Sequence, residues 1–140
     1  MDLAEPTPVT QDERTFAVLA HALQIVGTFI APLVIYLVKR DSRFVAFHAL
    51  QAVFLQIVYM VIWLVFFGGI MVLAITGAAG GGKSGPPPMF AVLFPIAWLV
   101  GMVSWATMLI LAIVYAIKAG RGEWAGYPVL GRMARGMLGL

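Results

Sequence analysis

The 81 residues from Ser42 to Gly122 contain no aspartate or glutamate, although the chain carries six acids in all. A water-soluble domain would place carboxylates on its exposed faces over such a length, so hydrocarbon is the solvent this stretch is suited to. The rest of the composition agrees, with 62% hydrophobic residues and only 11% charged residues. There is no cysteine, which excludes disulfides, thiol nucleophiles and iron-sulfur ligation. The acidic start, Asp2 to Glu13, is the opposite of a basic signal or transit peptide, so the first apolar segment is expected to be retained.

Three apolar segments follow, read as transmembrane helices over about 15–38, 44–76 and 89–117. The first holds 24 uncharged residues between Arg14 and Lys39 and would rise ~36 Å as one helix, enough for a core of ~30 Å. The second and third are long or kinked, with Gly68 and Gly69 as a bend and Pro95 as a kink. The fold class is therefore an all-α membrane protein with three spans. An acidic disordered tail over 1–13 precedes the membrane domain of 14–128, and a basic tail over 129–140 follows it. That tail alternates apolar residues with Arg132 and Arg135 and suits a short interfacial helix. Lys39, Arg40, Arg43, Lys118, Arg121, Arg132 and Arg135 would share one side, against Arg14 and Lys83 on the other. The positive-inside bias then gives a multi-pass protein of the bacterial plasma membrane, N-terminus outside and C-terminus cytoplasmic.

Gly77 to Ser84 satisfies the phosphate-loop pattern, with Lys83 and Ser84 at its end. The context is wrong for nucleotide. Gly85 and Pro86, Pro87 and Pro88 follow, removing the amide donors that a phosphate-binding helix start needs. The segment reads as a connector, and neither nucleotide nor nucleic acid is expected as a partner.

Polar residues inside the spans fall on shared faces. His21, Gln24 and Thr28 lie within about a 60° arc of the first span, and His48, Gln51, Gln56 and Tyr59 line the second. Such faces turn from lipid toward protein, as interhelical hydrogen bonds or as a polar cleft. With the first span straight, His21 and His48 would differ in depth by roughly 20 Å, so one metal or haem could not take both from one chain. Gly101, Ser104, Ala112, Ala116 and Gly120 give the third span a small-residue packing face, joined by Met108. No cofactor or metal is expected, and no catalytic residue stands out.

Several motifs carry a family likeness: Arg14-Thr-Phe-Ala-Val-Leu-Ala-His21, Pro32 to Asp41, Phe47-His48-Ala49-Leu-Gln51-Ala52, Ala116 to Glu123, and Tyr127-Pro128. Together they resemble the Tic-twenty-like small bacterial membrane proteins, distantly similar to the twenty-kilodalton inner-envelope component of chloroplast protein import. Phe54, Arg43 and the long Gly/Pro connector depart from that pattern. The resemblance implies a multi-helix membrane component linked to protein translocation or membrane assembly, while the polar and small-residue faces and the lack of catalytic groups point to a non-enzymatic module that associates with itself or with other membrane proteins in the lipid bilayer. An oligomeric pore or small-solute conductor is the rival reading, and a haem or quinone binder the third.

Overall fold

The computed structural model of the chain describes residues 8–80 and 88–140, so Lys83 and Ser84 of the phosphate-loop-like segment lie outside the described residues. Among the described residues five helices form: α1 (Gln11–Gly27), α2 (Ile30–Val38), α3 (Arg43–Gly80), α4 (Pro88–Gly120) and α5 (Leu130–Leu138). They make two compact units, one from residues 1–56 and 109–140, the other from residues 57–108. Two of these helices are long and apolar enough to cross a membrane, over Arg43–Gly77 and Pro88–Gly120. α3 runs on through Gly68 and Gly69, and α4 through Pro95.

The first apolar segment departs from expectation, for it is two helices and not one span. α1 starts earlier than the proposed end of the acidic tail, because Thr10 and Glu13 form a capping box: the Thr10 hydroxyl accepts from the Glu13 amide at 3.2 Å while the Thr10 amide donates to Glu13 Oε2 at 2.8 Å. The helix ends at Gly27, and Thr28 takes a positive φ of 52°, outside any helical geometry. α2 begins two residues later. Pro32 falls in its first turn, where a missing N–H costs no helical hydrogen bond.

The chain thereby folds back on itself. Lys39 at the end of α2 meets Asp12 at the start of α1, Nζ to Oδ2 2.9 Å, and stands 4.3 Å from the Phe16 ring centre. Ser42 ties the same corner, its hydroxyl donating to Glu13 Oε1 at 2.7 Å while accepting from the Val45 amide as the cap of α3. The Ser42 bond, with that from the Thr10 amide, holds the Glu13 carboxyl below its ordinary range. Residues paired at 2.9 Å cannot stand on opposite sides of a core ~30 Å thick. A straight span over 15–38, with Arg14 and Lys39 on opposite faces, is therefore corrected.

Small residues let these helices approach. Ala20, Ile35, Val45 and Ala49 form one buried cluster, flanked by Phe16 and Tyr36. A second joins Ala17, Phe44 and Ala119, so α1 also lies against the end of α4. A third, of Phe47, Leu50 and Ala134 with Phe54 and Leu138 alongside, seats α5 on the early turns of α3. In the unit of residues 57–108, Trp63 stacks on Phe67 with ring centres 4.2 Å apart, and a Cβ built on Gly101 would lie 3.0 Å from the Trp63 indole. Most other large side chains of that unit, such as Leu64, Val65, Val72, Leu99 and Met102, are exposed, as a lipid-facing surface requires.

The turn between α1 and α2 yields a test. A methyl on Gly27 would come 2.7 Å from the Ala31 Cβ, so Gly27→Ala is expected to cost about 1–3 kcal/mol. Thr28→Gly removes a strained φ and is expected to leave the thermal unfolding temperature in detergent unchanged or higher. The opposite ranking would place the turn elsewhere.

Candidate functional site

Folding back of α1 and α2 brings together residues that a straight first span keeps far apart. His21 Nε2 and His48 Nδ1 are 3.0 Å apart and both side chains are fully buried, which corrects the separation of roughly 20 Å expected from helix rise. Two further contacts complete a chain. His48 Nε2 lies 3.1 Å from the Glu123 carbonyl oxygen, and His21 Nδ1 lies 3.1 Å from the Tyr127 hydroxyl.

The carbonyl sets the direction of every bond. It can only accept, so His48 Nε2 carries the proton and, in the neutral ring, Nδ1 accepts. His21 Nε2–H must then donate to His48, leaving His21 Nδ1 to accept from Tyr127. The resulting line runs Tyr127 to His21 to His48 to Glu123, with both imidazoles neutral and all four ring nitrogens used. Burial pushes the Tyr127 phenol up, which keeps it a donor.

Backbone design presents Glu123 and Tyr127 to this line. α4 closes in a Schellman turn, in which the Glu123 amide bonds the Lys118 carbonyl at 3.1 Å and the Gly122 amide the Ala119 carbonyl at 2.9 Å. Gly122 takes φ +77°, and a Cβ there would meet the Arg14 side chain at 3.1 Å. Next, Gln51 Oε1 accepts from the Tyr127 amide at 2.7 Å, and its own Nε2 donates back to the Phe47 carbonyl at 3.2 Å. Tyr115 braces the same loop, donating to the Gly126 carbonyl at 3.1 Å with its ring 4.1 Å from that of Tyr127. Gly126 and Gly131 touch, a Cβ on Gly131 coming 2.7 Å from the Gly126 Cα.

Of the polar positions singled out from sequence, His21, Gln24, His48, Gln51 and Gln56 are buried in this unit. Gln56 Nε2 donates to the Gln24 carbonyl at 2.7 Å. The Gln24 side chain differs, being buried with neither Nε2 nor Oε1 in an aligned hydrogen bond among the described residues. Thr28 is exposed at the turn, and Tyr59 is half-buried in the other unit, 5.9 Å from the Trp63 ring. On the small-residue face, Gly101 and Ala112 are buried, Ser104 and Ala116 half-buried and Gly120 exposed. Ser104 bonds its own helix at the Gly101 carbonyl, 2.9 Å, and Gly120 is where Val18 of α1 comes close. Tyr115, Glu123 and Tyr127 were not among those positions, although the Tyr127-Pro128 motif marked the place.

Tyr127→Phe would remove the donor to His21 and leave a buried ring nitrogen unpaired, at an expected cost of about 1–3 kcal/mol. Thermal unfolding in detergent checks it. An unchanged midpoint would mean that the line is open to water.

Comparison with known proteins identifies the family. The chain matches the model of the magnetosome magnetite crystal formation protein family, MamF/MmsF, over residues 12–134. It is similar to the UPF0132 membrane protein MJ1443 of Methanocaldococcus jannaschii, 32% identical over 106 residues that cover 75% of this chain and 73% of that protein. No solved structure matches. All the motifs that suggested a Tic-twenty-like protein fall inside the family match, so that resemblance is corrected, and the translocation role loses the likeness it rested on. This is a membrane protein, and the chain belongs to the magnetosome magnetite crystal formation protein family.

Proposed function

We propose that the protein is a non-enzymatic, multi-pass module of a bacterial membrane that acts by associating with itself or with other membrane proteins. Its family's description points to the membrane around a growing magnetite crystal as the setting. α3 and α4 are the two crossings, and both termini are cytoplasmic. In support of that orientation, eight of the nine Lys and Arg residues belong to the unit that holds α1, α2 and α5.

One observation carries the associative reading: the two histidines that would hold a cofactor are spent on each other, on Tyr127 and on the Glu123 carbonyl. Tyr127, His21, His48 and the Glu123 carbonyl form a closed line, and haem ligation by either histidine would first have to break it. The unit of residues 57–108 meanwhile offers long rows of apolar side chains and the close-packing Gly101.

Extraction in a mild detergent tests the proposal. The 15.1 kDa chain is expected to run as an oligomer or with other membrane proteins attached. A monodisperse single chain that conducts ions in liposomes would contradict it and favour the pore.

A further inference from the structure

α5 buries one face and leaves another bare. Ala134 and Leu138, one turn apart, sit on Phe47, Leu50 and Phe54 of α3, within the stretch of α3 suited to cross a membrane, and Gly131 on the same face lies against Gly126 and Gln51. On the opposite side Val129, Met133 and Met137 repeat every four residues and are 57%, 51% and 65% exposed. Arg132 and Arg135 occupy one edge between these faces. The apolar arc is thus wider than the protein covers, and it is bordered by cations.

Charge identifies what covers the rest. No acid follows Glu123, so the tail is purely basic. Each arginine is held locally: Arg132 Nε donates to the Pro128 carbonyl at 3.2 Å, and Arg135 Nη2 to the Trp124 carbonyl at 3.1 Å with its guanidinium 5.3 Å from the Phe47 ring centre. Both arginines remain exposed. A second copy of α5 would bring like charges together, whereas a phospholipid offers an acyl chain to the methionines and a phosphate to the arginines. A helix of nine residues would not persist alone, and docking through Gly131 and Ala134 holds it in place for this contact.

We propose that α5 is a lipid-docking helix, with Met133 and Met137 in the acyl boundary of a leaflet and Arg132 and Arg135 on the phosphates of anionic headgroups. The proposal rests on the membrane reading but not on association with other proteins. The native chain has no cysteine, so single cysteines report cleanly. A fluorophore at Met137→Cys, in vesicles of phosphatidylcholine with phosphatidylglycerol, is expected to be quenched by brominated acyl chains at least threefold more than one at Arg132→Cys. Equal quenching overturns the insertion, and disulfide cross-linking of Met137→Cys between chains would instead assign the strip to a second copy. Purified from the same vesicles, the protein is expected to retain phosphatidylglycerol severalfold over phosphatidylcholine. Arg132→Gln, which disturbs only a local bond, should lower that preference at least twofold, and Arg132→Gln with Arg135→Gln should abolish it. Retention without preference overturns the headgroup contact.

Discussion

Lipid offers no hydrogen bonds, and the arrangement of the polar unit follows from that constraint. Two histidines and a tyrosine brought into an apolar chain have to satisfy one another or a backbone group. They do so in one line whose direction is set at its end by the Glu123 carbonyl, which accepts from His48 and so dictates the proton position on each ring before it. For the line to close, α1 must come back beside α3, and the residues after α4 must turn to present Glu123 and Tyr127. The break at Thr28 meets the first requirement, and the Schellman turn at Gly122 meets the second.

Much of this was legible in the sequence, and the part that was not has a definite cause. The acid-free stretch and the lengths of α3 and α4 follow from hydropathy alone, because burial in lipid leaves a compositional mark. The burial of His21, Gln24, His48, Gln51 and Gln56 accords with their helical spacing. Hydropathy could not tell a crossing helix from two shorter helices folded together, since both bury apolar residues. The signal lay in punctuation: Gly27 followed by Pro32 is the pattern of one helix ending and another beginning, and twenty-four uncharged residues concealed it. With that turn missed, the distance between the histidines was misjudged. Tyr127 and the Glu123 carbonyl were invisible for another reason, because a backbone acceptor 75 positions from His48 leaves no trace in local pattern.

The two units differ in character. In the hydrogen-bonded unit most buried polar groups are matched; among its described residues the Gln24 amide and Arg14 Nε are buried without an aligned bond. The unit of residues 57–108 is apolar and sparsely covered by its own side chains, which leaves lipid or other membrane proteins to cover it. The proposed role, acting through association with other membrane proteins, would need no reactive group of its own.

The return of α1 and α2 is the central claim, and the Asp12–Lys39 pair is its most direct handle. Asp12→Cys with Lys39→Cys, in a chain that has no other cysteine, places two thiols at a corner now bridged at 2.9 Å. In native membranes a short bifunctional maleimide is expected to join the pair, since a cross-linker replaces the reach of the lysine side chain, and a membrane-impermeant maleimide is expected to reach each single-cysteine variant from the same side. Absence of the cross-link together with labelling from opposite sides would restore a straight first span and contradict the account.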